Sequence, residues 1–123
     1  MNYKTREIVM PKHLNNANKL FGGQVLMWID KEAAMFAACQ MKTTSLVTAH
    51  MGEINFKHPG NQGDYIEIGC ELIKFGRTSV TIKCTVHNMT TDQDIVVADN
   101  IVFVAMDEFG NPTPHGQSSL SAS

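Results

Sequence analysis

A chain of 123 residues, 43% of them hydrophobic and 18% charged, suits one folded domain built round one modest core. Split in two, it would leave halves too small to stabilise themselves. A net charge of −2, with five histidines and no basic block, gives no reason to expect a nucleic-acid partner.

The opening MNYKTREIVM is charged and lacks the apolar core of a signal peptide, and the first strand is expected over residues 3–10. No run approaches the roughly 18 apolar residues of a membrane span. Residues 11–18, rich in Asn, read as a loop, with Asn18 placed to cap a helix over about residues 20–40. Gly22 and Gly23 then fall in its first turn. From Val25 to Ala38 this helix has hardly any polar face, so it is expected to be wrapped by other structure. Strand-like sequence follows. Residues 45–56 run up to the breaker His58-Pro59-Gly60, and residues 65–75 alternate, with Ile66, Ile68, Cys70 and Leu72 on one face. Gly76-Arg77 turns the chain into a second alternating strand carrying Val80, Ile82, Cys84 and Val86. The last strand, residues 95–106, is apolar on both faces. The sequence predicts one domain over residues 1–110, followed by a tail, 111–123, with little to bury and expected to be mobile. One long helix and then four strands fit an α+β fold, an antiparallel sheet curled round a helix.

Cys39, Cys70 and Cys84 are odd in number and form no C-x-x-C pair, which points to reduced, mostly buried thiols and a cytoplasmic protein. The histidines have no ligand spacing, so no metal site is expected. Read on their own, His13 and His58 are surface residues that can lie near the mouth of a site. The eight methionines suit core filling and the lining of an apolar pocket. There is no G-x-S-x-G, hence no support for a serine hydrolase.

Asp30 is the residue that an apolar helix does not need. On a helical wheel it lies nearly above Gly23, among Leu26, Met27, Ala33, Ala34 and Ala37, while Lys31 and Glu32 are expected to point elsewhere. Three readings stand: a surface carboxylate paired with a lysine, a buried structural acid taking backbone hydrogen bonds, or an active-site carboxylate over a cleft. The two glycines bear on the third. Each costs about 1 kcal/mol in a helix relative to Ala, yet lets a ligand approach the free N–H groups of the first turn. Such donors can stabilise an oxyanion, although close helix–sheet packing would explain the glycines equally well.

The stretch N-x-x-N-x-x-F-G-G followed by Asp30 resembles the hotdog-fold acyl-CoA thioesterases, in particular the YciA-like bacterial enzymes. The likeness continues through E-I-N-F-K-H-P-G-N-Q-G-D (53–64), K-F-G-R-T-S (74–79) and A-D-N-I-V-F-V-A-M-D (98–107). It implies a sheet wrapped round the long helix, a homodimer with shared active sites, and assembly of such pairs into a hexamer, a trimer of dimers. It implies hydrolysis of acyl-CoA to a free acid and coenzyme A, with no separate cofactor and no membrane partner. By the same resemblance Asp30 is the catalytic carboxylate, acting as general base or nucleophile. Asn15 is contributed by the opposite subunit, and the Gly23 N–H, next to Gly22, polarises the thioester carbonyl. Gly76, Arg77, Thr78 and Ser79 match the turn along which coenzyme A lies, and Lys57 and His58 are the basic residues expected near its phosphates. The chain departs from the family pattern at Asn18, where relatives usually have Gly, and at Lys57-His58, where Lys often directly precedes the proline. Two alternatives share the fold. Hotdog hydratases and dehydratases pair the acid with a histidine, and none follows Asp30 on the helix. A non-catalytic acyl-CoA-binding protein usually carries a DNA-binding segment, which the ten residues before Pro11 cannot hold.

Overall fold

The computed structural model describes residues 2–118, with side chains from Thr5 onward. Strand β1 (Asn2–Ile8) leads through a short 3-10 turn (Pro11–His13) to the helix α1 (Gly22–Met41). Five strands follow: β2 (Leu46–Met51), β3 (Ile54–Phe56), β4 (Tyr65–Phe75), β5 (Ser79–Asn88) and β6 (Gln93–Ala105). All pair antiparallel in one sheet of order β1-β4-β5-β6-β2, with β3 also on β6.

The expected strand over 45–56 is therefore two. β2 pairs with residues 101–105 of β6 and β3 with residues 96–98. Between them β6 bulges, since Ile82 faces Ile101 while Cys84 faces Ala98, and Asn100 takes a φ of 54°. At the break the Gly52 N–H donates to the Asn100 carbonyl at 3.2 Å and the Asp99 N–H to the Glu53 carbonyl at 3.0 Å.

The helix lies across the sheet on Val25, Trp28, Ile29, Ala33, Ala37 and Met41, spaced to fall on one stripe. Ala33 and Ala37 let it approach Ile66 and Ile68 of β4, Ile82 and Val86 of β5, and Ile101 and Phe103 of β6. Within one chain it is not wrapped all round: Met27 and Met35 are 60% and 50% exposed. The last strand is likewise buried on both faces only at Ile95–Ala98; from Ile101 onward it alternates.

Asn18 does not cap the helix. Phe21 holds that position without a side-chain cap, and Asn18 instead takes a φ of 59° in the preceding loop. Asn enters this left-handed region more readily than most residues, so it can make the turn that a Gly would otherwise be needed for. Glu32 points away from the Asp30 face, as expected; it is buried and accepts a hydrogen bond from the Thr5 hydroxyl of β1. It lies four residues after Trp28 and shares that residue's face. Of the tail, residues 113–117 are hydrogen-bonded back toward the sheet, beginning with the Thr113 N–H on the Ala105 carbonyl at 2.9 Å. Residues 119–123 lie outside the described residues. Cys39 is exposed, whereas Cys70 and Cys84 are buried opposite each other. No helix among the described residues is long and apolar enough to cross a membrane.

Candidate active site

Residues 14–20 form a closed loop ahead of the helix. Leu14 bridges Leu20, and the Asn15 N–H donates to the Lys19 carbonyl at 2.8 Å. The Asn15 Oδ1 accepts from the N–H groups of Ala17 (2.9 Å) and Lys19 (3.1 Å). With that oxygen committed, the Nδ2 donors are what Asn15 offers a ligand. Asn15 and Phe21 line an open cleft of about 560 Å³.

His13, read as a surface residue, is buried under this loop. Its Nδ1 accepts the Met10 N–H at 3.0 Å, its ring meets Trp28 edge-on at 5.0 Å, and its carbonyl accepts the Phe21 N–H at 2.8 Å. It thereby holds the helix entry. The N–H groups of Gly22 and Gly23 are the first of the helix and have no intrahelical acceptor. A Cβ at Gly23 would stand 2.5 Å from the exposed Phe21 ring, so a larger residue there would push that ring aside. Beside Gly22 a second cleft, of about 270 Å³, is lined by Phe56, Lys57, His58, Pro59 and Gly60. His58 is fixed by its Nδ1 on the Asp94 carbonyl at 2.9 Å.

Two turns further along, half-buried Asp30 accepts the Thr48 hydroxyl on Oδ1 at 2.9 Å. The partner is a strand hydroxyl, which matches neither the lysine pair nor the backbone-bonded acid. Sequence spacing gave no sign of Thr48, because only the crossing of helix and β2 brings it there. The Gly76–Ser79 turn is closed by the Gly76 N–H on the Ser79 carbonyl at 2.9 Å, with the Ser79 hydroxyl where a Cβ at position 76 would go. Thr48 and Val80 both face Phe103, so this turn sits at the Asp30 end of the sheet, about 10 Å across two strand spacings. Lys57 hydrogen-bonds to Ile95, ten residues along β6 from Ala105, or roughly 33 Å away.

One chain thus gathers the expected residues into three places. Asn15, Gly22 and Gly23 stand at the helix entry with Lys57 and His58, Asp30 stands with Thr48, and residues 76–79 form a separate turn. Among the described residues no group of three His, Cys, Asp or Glu side chains could hold a metal ion. The Cys70 thiol is pushed well up by its hydrogen bond with Cys84 and by burial, so it offers no thiolate nucleophile at neutral pH.

Residues 17–95 match the thioesterase superfamily. The chain belongs to that superfamily. It is 33% identical over 111 residues to the uncharacterized acyl-CoA thioester hydrolase YkhA of Bacillus subtilis, covering 86% of this chain and 63% of YkhA. It therefore spans a little under two thirds of that relative's length. Its fold follows that of the hexameric thioesterase y2039 from Yersinia pestis, with a TM-score of 0.84, 26% identity, and coverage of 92% of this chain and 93% of the other. An apo-hexameric acyl-CoA thioesterase is similar at a TM-score of 0.76 and 30% identity, over 89% of this chain and 72% of that one. A single long helix held against a curled antiparallel sheet is the hotdog fold expected from the sequence.

Proposed function

We propose that the protein hydrolyses acyl-CoA thioesters to a free carboxylic acid and coenzyme A, with water as the only co-substrate. The observation that carries this is the half-buried Asp30, oriented by Thr48, on a helix of the thioesterase superfamily whose first N–H groups are open. Asp30 acts as general base on the attacking water; Thr48 holds its Oδ1, leaving Oδ2 for the proton. Direct attack to give a mixed anhydride uses the same geometry.

The oxyanion donor is the Gly23 N–H of the opposite protomer. Within one helix Gly23 and Asp30 are seven residues and about 10 Å apart, whereas both must come within about 3 Å of one thioester. Asn15, next to the helix entry, then belongs with that donor. Pairing of the open β2 edges about a two-fold axis would make one sheet of two and set each chain's helix entry against its partner's Asp30. It would also bring Lys57 and His58 of one chain to the sheet end that holds Arg77, Thr78 and Ser79 of the other, where we place the coenzyme A moiety. The relatives described as hexameric support further assembly of such pairs, as a trimer of dimers.

A mixed-dimer experiment tests the shared site. Asp30→Ala and Asn15→Ala proteins, each nearly inactive, are unfolded together and refolded. Random pairing makes about half the dimers mixed, each with one intact site, so activity returns to about a quarter of wild type. Mixed dimers seen by mass spectrometry with activity still at the parental level would mean that Asn15 works with Asp30 of its own chain or is only a loop residue, and would overturn the shared site.

A further inference from the structure

Beyond Gly110 the chain doubles back and runs to the Gly76–Ser79 turn. Met106 bridges Pro112, and after Thr113 the strap reaches His115. The His115 N–H donates to the Arg77 carbonyl at 3.3 Å, and its Nε2–H donates to the Ser79 carbonyl at 2.9 Å. The ring also lies against Phe75, with centroids 5.5 Å apart. On the other side of the ring, Nδ1 accepts the Gln117 N–H at 3.0 Å. Both ring bonds are met by a single form, the neutral imidazole protonated on Nε2. The Ala105 N–H, from the strand end that the strap continues, takes the Thr78 carbonyl at 2.8 Å. Three successive carbonyls of Arg77-Thr78-Ser79 are thus held by residues 105–115, while the Arg77 side chain stays exposed.

We infer that His115 is a positioning residue for substrate binding: it fixes the backbone of the Gly76–Ser79 turn so that Arg77, Thr78 and Ser79 meet the nucleotide end of coenzyme A. This rests on the reading of that turn as the coenzyme A grip. His115 touches the turn and not the reacting atoms. Its effect therefore falls on binding of the nucleotide part, which is equal in ground and transition states, and leaves kcat alone.

The test compares His115→Ala, His115→Gln and wild type on an acyl-CoA and on the same acyl group carried by N-acetylcysteamine, which lacks the nucleotide. His115→Ala should raise KM for the acyl-CoA about tenfold with kcat within about twofold, and leave the N-acetylcysteamine ester unaffected. His115→Gln keeps a donor at the Nε2 position and should recover most of the KM. In parallel, amide hydrogen exchange at Gly76 should be faster in His115→Ala, because its acceptor Ser79 is no longer anchored. An unchanged KM for the acyl-CoA, equal losses on both esters, or no recovery in His115→Gln would overturn the assignment. Should the wild-type protein hydrolyse neither ester, the proposed activity fails, and unchanged exchange at Gly76 would then overturn the anchoring separately.

Discussion

Two acids two residues apart on the same helix meet opposite surroundings. Glu32 faces the sheet, is closed over by β1, and spends its carboxylate on the Thr5 hydroxyl. Asp30 is half-buried on a different face of the helix, where one oxygen takes the Thr48 hydroxyl of β2. Residue type is nearly the same, so location decides the role. An acid sealed into a core can only fix structure. One kept at the rim of an apolar surface, half desolvated and reachable, can take a proton from water.

The largest effect should separate the two. Asp30→Asn keeps a side chain that Thr48 can still meet but removes the base, so kcat should fall about a thousandfold while the melting temperature holds or rises. A variant retaining a tenth of wild-type kcat would put the base elsewhere. Glu32→Ala should do the reverse. It leaves a cavity and the Thr5 hydroxyl without its partner, costing about 2 kcal/mol in denaturant unfolding, with kcat of the folded protein near wild type. A kcat loss there as large as at Asp30 would break the contrast. Smaller is Thr48→Val, which deprives Asp30 of its orienting donor: a drop in kcat of about tenfold with unchanged stability is expected from steady-state kinetics and thermal melts.

The smallest concerns acids that carry their own cation. His87 on β5 bonds Asp94 through Nδ1 at 2.8 Å and Asp92 through Nε2 at 3.1 Å, with Glu67 of β4 opposite it. Burial alone would lower its pKa, but the hydrogen bonds to Asp94 and Asp92, with Glu67 adding attraction, leave it above the ordinary histidine value. A raised folded-state pKa stabilises fully below the unfolded value of about 6.5, and the gain disappears as pH climbs through the folded one. His87→Gln should therefore lower the melting temperature relative to wild type more at about pH 5.5 than at about pH 8.5. A difference of the opposite sign would mean that the pair repels the charged imidazole.

Most of the fold was legible because it is periodic. Alternation in residues 65–75 and 80–86 marked a hairpin, and the apolar run after Gly23 marked the helix. Features that depend on a single backbone angle or a distant partner were not legible. Asn18 has the composition of a cap, and only its left-handed φ shows it turning the loop instead. Glu32 points away from the Asp30 face, as its spacing indicates, but its burial depends on where β1 crosses the helix and brings Thr5 to it. His13 reads as a surface histidine because its hydrogen bonds are to backbone groups, which leave no trace in side-chain pattern. At the candidate site, Asp30 stood out by being costly where it is. Thr48 had nothing to single it out, since a threonine is ordinary on a strand.

The bulge at Asp99–Asn100 has a consequence for how this chain can vary in length. It separates the ladders of β2 and β3 along β6, so each half of the edge keeps its register independently. A residue inserted at Gly52 lengthens the hinge between the two ladders and shifts neither. The same insertion between Leu46 and Thr48 would turn Thr48 to the other face of the sheet, away from Asp30. Length polymorphism is thus tolerated at position 52 and forbidden five residues earlier, and natural or engineered insertions should accumulate at the hinge alone.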